Sequence, residues 1–156
     1  MKFFHIADTH LGAIPDAGFA WSEERRSEIW ESFRSVVAKA DREEVDLLLI
    51  AGDLFHRQPL MRELKEVNYL FTTIPNVKVI LIAGNHDRIR DNSALLSFAW
   101  SPNVTFLMEP TLRSVYFEDI NTEVYGFSYH TTEIKKPLLE DIQVPLNNRI
   151  QILMAH

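Results

Sequence analysis

Three short apolar runs in the first half of the chain each end abruptly at polar residues. Each run is too short for an amphipathic helix and is rich in aliphatic or aromatic side chains, which is typical of a buried strand. The runs and the polar residues that directly follow them are 3–7 with 8–10, 45–51 with 52–53, and 77–83 with 84–87. The pattern therefore predicts three buried strands, each delivering polar side chains at its carboxyl end.

Amphipathic segments separate these runs. The first spans residues 22–44, with Ser22 as a predicted N-cap and apolar residues at helical spacing: Ile29, Phe33, Val36, Val37 and Ala40. The second begins after Pro59 and ends before Pro75. Its predicted apolar face is Leu60, Leu64, Val67, Phe71 and Ile74. Strands that alternate with helices of this length predict right-handed crossovers and a mainly parallel βαβ core.

The second half of the chain predicts a further sheet layer. After a short helix at 93–100 come three more apolar segments, of which the last two are joined as a hairpin: 104–108, 112–118 and 123–129. A polar loop is predicted around residues 137–148, before a final strand at 149–155 that ends on His156. The fold class is therefore α/β, and residues 1–156 are expected to form one domain.

The composition excludes several kinds of site and several classes of protein. The chain has 156 residues and no cysteine, which excludes disulfides, thiolate metal sites and a cysteine nucleophile. The N-terminal apolar stretch is too short for a signal peptide and is broken by Asp8, and no run reaches transmembrane length. We therefore expect a cytoplasmic protein that does not bind membranes. The net charge of −6 has the wrong sign for a bulk nucleic-acid binder, although bound divalent cations would reverse it locally.

The polar residues that follow the strands suit a metal site. Ligands bind at the carboxyl edge of open parallel sheets. Asp8 and His10 are two residues apart and can therefore point the same way, and Asp53 on the neighbouring strand could bridge two ions. Asn85 adds an amide oxygen and His156 an imidazole. This mixture of oxygen and nitrogen donors favours Mn²⁺, Fe or Zn²⁺ over Mg²⁺.

Two such ions, about 3.5–4 Å apart, would clamp a phosphoryl group for in-line displacement. His86 directly follows Asn85 and could stabilise the transition state or protonate the leaving oxygen. Each motif alone has an ordinary explanation, because Asp-x-His, Gly-Asp and Gly-Asn-His-Asp also occur by chance or in tight turns. Their occurrence in order, after three successive strands, favours the metal site.

The quoted residues resemble the calcineurin-like metallophosphoesterases. The resemblance rests on Asp8-Thr9-His10-Leu11-Gly12, Gly52-Asp53 and Gly84-Asn85-His86-Asp87, with His156 as the next histidine ligand. Within that family, Gly52-Asp53-Leu54-Phe55-His56 is most similar to the SbcD-type DNA repair exonucleases. The resemblance implies a two-sheet α/β sandwich, a dimetal centre and Mn²⁺-dependent phosphodiester hydrolysis of DNA.

The same resemblance assigns roles to the candidate residues. Asp8 and His10 would hold the first ion, Asp53 would bridge, and Asn85 and His156 would hold the second. His86 would assist the leaving group, and His56 would support His86 or the substrate. The resemblance also implies a homodimer with an SbcC-type ATPase partner. The family carries a further Gly-His-x-His element beyond the position of His156, so we expect a C-terminally truncated domain in which each ion lacks one ligand.

Other residues near the motifs have two interpretations. Arg57, Arg88 and Arg90 could contact backbone phosphates, or they could pair with nearby acids. Phe19 and Trp21 could form a rim that stacks a base, or they could pack in the core. Two alternatives to a DNA nuclease also stay open, namely a small-molecule phosphodiesterase or phosphatase on the same scaffold and a non-catalytic scaffold domain.

Overall fold

A parallel four-stranded sheet forms the centre of the molecule. The computed structural model describes residues 1–135, 139–140, 142–143 and 145–156. The strands of this sheet lie in the order in which they occur in the chain: β1 (Phe3–Ile6), β2 (Leu47–Ala51), β3 (Lys78–Ile82) and β4 (Val104–Phe106). All of their pairings are parallel, as the predicted crossovers require. The carboxyl ends of β1, β2 and β3 therefore meet at one edge of the sheet.

Helices cover one face of this sheet. They are α1 (Ser22–Arg42), α2 (Met61–Thr72) and α3 (Ala94–Ser97). Buried side chains of α1 and α2, among them Phe33, Val37 and Phe71, pack against alternate residues of β2 and β3. Because α1 and α2 each connect two neighbouring strands, burying their apolar faces also fixes the positions of the loops that follow those strands.

A second sheet covers the opposite face. It contains β5 (Arg113–Phe117), β6 (Thr122–Gly126) and β7 (Ile150–Met154), with β6 in the middle. β5 and β6 form the predicted antiparallel hairpin, whereas β7 pairs with β6 in parallel. Leu49 and Ile80 of the first sheet pack against Val124 and Met154 of the second. The predicted two-sheet α/β sandwich with a mainly parallel core is confirmed.

The first strand is less buried than the sequence predicts. β1 is an edge strand of the described sheet, and Phe3 is 46% exposed. Phe4 and Ile6 pack toward the helices, so Phe3 and His5 face the side that the second sheet leaves open. A run of apolar letters reveals a strand but not its place in the sheet, which is why the prediction of a buried strand was wrong here.

Two helix ends also differ from the prediction. Ser22 is the first residue of α1 instead of its N-cap, and its hydroxyl donates to the carbonyl of Pro15 at 2.9 Å. Leu60 is the N-cap of α2 and is exposed, while the Glu63 carboxylate accepts from the Leu60 backbone N–H at 2.7 Å. Leu60 therefore lies outside the apolar face to which its spacing assigned it.

Other helix and strand boundaries also differ from the prediction by a few residues. The helix predicted at 93–100 is a single turn, α3, capped by the Ser93 hydroxyl. β6 ends at Gly126, before the predicted end at 129. The polar loop predicted around 137–148 lies partly outside the described residues. Within the described residues, no helix is both long and apolar enough to cross a membrane.

Candidate metal centre

The loops that follow β1 and β2 run side by side. The backbone N–H groups of Asp8, His10 and Leu11 donate to the carbonyls of Gly52, Asp53 and Leu54 at 3.2, 3.0 and 2.8 Å. The parallel pairing of β1 with β2 thus continues past the ends of the strands. As a result, two loops that would otherwise be independent hold their side chains at a fixed separation.

Three candidate ligands have left-handed backbone conformations. The φ angles of Asp8, His10 and Asp53 are 54°, 48° and 50°. This region is sparsely populated by residues other than glycine, and each such residue costs of order 1–3 kcal/mol. Asp53 lies directly after Gly52, which also has a positive φ of 83°. The surrounding hydrogen bonds maintain these conformations, and they turn three side chains toward one place.

The side chains of this cluster face one another at distances of 3.4 to 3.8 Å. His10 Nε2 lies 3.7 Å from Asp8 Oδ1 and 3.8 Å from Asp53 Oδ2. His156 Nε2 lies 3.4 Å from the same Asp53 oxygen. Ligand atoms of Asp8, His10 and Asp53 all lie within 4.8 Å of one another. Asp53 is buried, so its carboxylate is shielded from water. The same carboxylate faces two imidazoles, those of His10 and His156.

The hydrogen bonding of His156 tests whether a cation fits this cluster. His156 Nδ1 lies 2.9 Å from the Ala51 carbonyl, which can only accept, so Nδ1 must donate. In the neutral imidazole, Nε2 then carries a lone pair directed at the Asp53 carboxylate. A lone pair and a carboxylate oxygen facing each other call for a positive charge between them. A histidine whose other nitrogen donates to a carbonyl is also the usual arrangement of a metal ligand.

A second histidine group borders the cluster. The Nδ1 atoms of His10 and His56 lie 3.4 Å apart, so one of the two must donate to the other. Desolvation, together with nearby His10, His86 and Arg57, lowers the pKa of His56 and so favours its neutral form. His56 Nδ1 can therefore accept from His10 Nδ1 and leave His10 Nε2 free to bind a metal.

The His86 ring is held at the exposed side of the cluster. Its Nδ1 donates to the His56 carbonyl at 2.9 Å, and its backbone N–H donates to Asp53 Oδ1 at 2.9 Å. The ring is exposed, so Nε2 is available to a substrate. Asn85 precedes His86 and is half-buried. The residues on both sides of Asn85 lie against Asp53, so the backbone of Asn85 runs beside the same cluster.

Asp87 ties two of the loops together. Its buried carboxylate accepts from the backbone N–H groups of Phe55 at 3.1 Å and Gly84 at 2.8 Å. Burial raises the pKa of Asp87 from 3.8 to about 6, against the opposing effect of these two hydrogen bonds. In the structure Asp87 joins the loop after β2 to the loop after β3.

Two glycines allow the close approach of these loops. A Cβ atom on Gly84 would lie 2.2 Å from Asp53 Oδ1 and 2.6 Å from the Asp53 backbone nitrogen. A Cβ atom on Gly52 would lie 2.5 Å from the His156 ring. Both contacts are far shorter than van der Waals separation. The Gly-Asp and Gly-Asn-His-Asp motifs therefore need glycine because a side chain there would displace the ligands.

The predicted substrate arginines differ in their surroundings. Arg57 makes a bidentate ion pair with the buried carboxylate of Glu63, at 3.0 Å for both bonds. Arg88 donates to the Asn85 carbonyl at 3.3 Å, which places its guanidinium beside the third motif. Arg90 is exposed, and its carbonyl accepts from the Ser93 backbone N–H. Arg57 thus matches the acid-pairing interpretation, although part of its guanidinium stays exposed.

The structure adds supporting residues that the sequence did not indicate. The Tyr129 hydroxyl donates to the His156 carbonyl at 3.0 Å, and the Tyr129 backbone N–H donates to the Ala83 carbonyl. The Gln58 amide donates to the Arg88 carbonyl at 2.7 Å and accepts from Ser93. These contacts join residues far apart in the chain, so no local pattern could have revealed them.

Phe19 and Trp21 do not pack in the core. They are 58% and 49% exposed, and their rings stack on each other with centroids 4.9 Å apart. The core-packing alternative is therefore wrong for both aromatic residues.

Comparison with known proteins agrees with this geometry. The model of the calcineurin-like phosphoesterase family matches residues 1–156. The DNA double-strand break repair protein Mre11 of Archaeoglobus fulgidus is 33% identical over 152 residues, covering 92% of this chain and 31% of the relative. Mre11 of Aeropyrum pernix is 38% identical over 99 residues, covering 60% of this chain and 23% of the relative.

An uncharacterised metallophosphoesterase of Bacillus subtilis, YhaO, is 31% identical over 144 residues, covering 83% of this chain and 34% of the relative. The chain thus spans about a quarter to a third of the length of these relatives. The family model covers every motif that contributes to the metal centre. The chain belongs to the calcineurin-like phosphoesterase family.

Proposed function

We propose that this chain carries the active site of a metal-dependent DNA nuclease that hydrolyses phosphodiesters at a pair of divalent cations. The observation that carries the proposal is the position of Asp53. Its buried carboxylate faces the Nε2 atoms of both His10 and His156, one from each sheet. A carboxylate shared in this way suits two cations better than one.

Two sets of ligands follow from this arrangement. Asp8, His10 and Asp53 would hold one ion, and Asp53, Asn85 and His156 would hold the other. The mixture of carboxylate, amide and imidazole donors suits Mn²⁺ best, with Fe or Zn²⁺ as alternatives. When bound, the ions would neutralise phosphoryl charge and make water a stronger nucleophile.

The remaining residues act on the substrate side. Because His86 donates through Nδ1 to the His56 carbonyl, its Nε2 is left for the substrate. When the ring is an imidazolium, Nε2 also carries a proton and can deliver it to the leaving oxygen, which leaves the ring neutral. His56 keeps both neighbours oriented, His10 through its imidazole and His86 through its carbonyl. Arg88 and Arg90 are the proposed contacts to backbone phosphates. Arg57 is paired with Glu63 and would contribute only through the exposed part of its guanidinium.

DNA is the proposed substrate because the two Mre11 relatives are named as DNA double-strand break repair proteins. From the resemblance of the motifs to SbcD-type nucleases, we also propose a cytoplasmic protein that forms a homodimer and associates with an SbcC-type ATPase. Light scattering of the purified chain, alone and with such an ATPase, tests both associations.

One observation favours a second candidate function. The net charge of −6 opposes the approach of a long polyanion, whereas it hardly affects a small substrate. The second candidate is therefore a small-molecule phosphodiesterase or phosphatase that uses the same residues.

The test compares three substrates and uses one variant. Calorimetry first measures Mn²⁺ binding to the wild-type chain and to Asp53→Asn. Turnover of single-stranded DNA, duplex DNA and a nitrophenyl phosphodiester is then measured with Mn²⁺. DNA cleavage that Asp53→Asn abolishes supports the proposal, and hydrolysis of the small ester alone supports the second candidate. If the chain binds no Mn²⁺, or if Asp53→Asn leaves Mn²⁺ binding unchanged, both candidate functions are contradicted. The non-catalytic scaffold domain is then the remaining alternative.

A further inference from the structure

An exposed aromatic pair follows directly after the first metal motif. The rings of Phe19 and Trp21 lie nearly parallel, with an interplanar angle of 21° and centroids 4.9 Å apart. Since each ring covers one face of the other, an outer ring face remains available on the pair. We call these two residues the aromatic shelf.

The shelf is held in a fixed orientation. The indole Nε1 of Trp21 donates to Asp16 Oδ2 at 3.1 Å. The Ser22 hydroxyl, next in the chain, donates to the Pro15 carbonyl at 2.9 Å. Backbone bonds from Phe19 N–H to the Asp16 carbonyl and from Ser22 N–H to the Phe19 carbonyl close the turns of this loop. A ring orientation set in advance lowers the entropy cost of stacking a ligand.

The loop that carries the shelf is anchored to the metal centre. Its first residue, Ala13, donates through its backbone N–H to the carbonyl of the candidate ligand His10 at 3.0 Å. Pro15 of the loop and Thr9, which lies between two candidate ligands, line the same cavity of about 360 Å³. The loop that carries the shelf therefore begins at the candidate metal centre, and Pro15 of this loop shares a cavity with Thr9.

The charges around the shelf indicate which part of a nucleic acid would contact it. Arg25 pairs with Glu28 at 3.0 Å, and Arg26 pairs with Glu23 at 3.6 Å. Both nearby cations are thus already paired with acids. The shelf itself offers ring faces, and its one indole N–H is bonded to Asp16. It suits the flat face of a base, with no preference for base identity, better than a phosphate.

We propose that the aromatic shelf stacks an unpaired base of a DNA strand whose backbone reaches the metal centre. This inference rests on the proposed function, because it assigns part of the substrate to a surface beside that site. Stacking of this kind distinguishes single strands and frayed ends from closed duplex, in which the bases are already stacked. Stacking on the aromatic shelf therefore makes single-stranded DNA the preferred substrate.

The test distinguishes contacts to bases from contacts to phosphates. Fluorescence anisotropy measures binding of an oligothymidine strand and of an abasic strand of equal length, at low ionic strength with EDTA to prevent cleavage. Both strands carry the same backbone charge, so their affinity ratio reports base contacts alone. We expect the wild type to bind the oligothymidine strand about tenfold more tightly than the abasic strand.

Leucine variants show whether Phe19 and Trp21 make the base contacts. Phe19→Leu and Trp21→Leu should each reduce the affinity ratio toward one and leave binding of the abasic strand unchanged. Neither change removes a backbone bond of the loop, and thermal unfolding checks that the variants are folded. Tyr69→Leu is the matched control, because Tyr69 is 66% exposed on α2 and lies outside the shelf. It should keep the wild-type ratio.

Other outcomes overturn the inference. Equal binding of the two strands by the wild type shows that no base is stacked, and a ratio that survives both leucine substitutions places the stacking elsewhere. These results are independent of the nuclease proposal, which is judged by cleavage with Mn²⁺. A chain that cleaves DNA without discriminating between the strands refutes only the shelf.

Discussion

Asp53 Oδ2 and His156 Nε2 lie 3.4 Å apart although the two residues follow strands of different sheets. Asp53 comes after β2 of the first sheet, and His156 comes after β7 of the second. The candidate metal centre is therefore built where the two layers of the sandwich meet. Residues at such a junction depend on the packing between the sheets as well as on their own loops.

Asp53→Asn should separate metal binding from stability. Asparagine adopts the left-handed conformation readily, and its amide oxygen can still accept from the His86 backbone N–H. We expect Mn²⁺ affinity to fall at least about 100-fold, because the charge between two imidazoles is lost. The metal-free protein should be at least as stable as the wild type, because a buried charge has been removed.

Calorimetry and urea unfolding with EDTA measure these two effects. Asp119→Asn is a matched control, since it removes one acidic charge remote from the centre and should leave Mn²⁺ affinity unchanged. Unaltered Mn²⁺ binding by Asp53→Asn would mean that the ion lies elsewhere.

His86→Ala should lower turnover while metal stays bound. The His86 ring supplies the outward Nε2, whereas its backbone N–H, which contacts Asp53, is retained in alanine. We expect turnover to fall about 100-fold or more with an unchanged Mn²⁺ content. His130→Ala is the control, because that exposed ring bonds to the Met108 carbonyl outside the centre. Loss of metal from His86→Ala would reassign His86 as a ligand.

Gly84→Ala should damage the fold and the metal site together. The added methyl group would lie 2.2 Å from Asp53 Oδ1, and both residues are buried. We expect a loss of about 1–3 kcal/mol in the free energy of unfolding, together with weaker Mn²⁺ binding. The control is Gly18→Ala, whose added methyl group would have no other atom within 4 Å. Its loss of stability is therefore limited to the strain of an alanine at a φ of 97°. That control should keep its metal affinity.

Asp119→Asn should show a pH dependence that reports contact between the two layers. Lys78 at the start of β3 donates to Asp119 beside β5 at 2.5 Å, and this bond lowers the pKa of Asp119. A lowered pKa of an acid adds stability above its usual value of 3.8, and this stability is lost as pH falls through the pKa of the folded state.

The asparagine variant should therefore be slightly less stable than the wild type at pH 7, and the difference should vanish at strongly acidic pH. Urea unfolding across this range, at low and high salt, measures the effect. Because the pair is exposed, salt should also reduce the difference at pH 7. A deficit that is independent of pH would point to packing instead of charge.

Much of the fold and the centre of the site follow from local signals. The run at 45–51 is apolar except for Asp46 and ends at Gly52-Asp53, and this alone predicted a buried strand before a candidate ligand. The same signal located Asp8, His10 and the third motif. These features are predictable because a strand and the loop after it are contiguous in the chain, so their chemistry can be read together.

The remaining features depend on neighbours that are distant in the chain. Nothing near Phe3 shows that β1 lies at an edge, because its strand-like pattern is the same in any position. The bond from Tyr129 to His156 joins residues on different segments. The exposure of Leu60 reflects the capping by Glu63, because the helix begins one residue after the apolar spacing would suggest. Such outcomes depend on the assembled structure.

The continued pairing of the segments after β1 and β2 has a consequence for ion selection. His10 is attached to backbone that is already bonded to the backbone of Asp53. The separation of the two backbones is consequently inherited from the spacing of neighbouring strands, about 4.8 Å, and does not adjust to the radius of an entering ion. Preference among cations then arises from the electronic character of the donors, and it can be retuned by exchanging a single side chain on an unchanged scaffold.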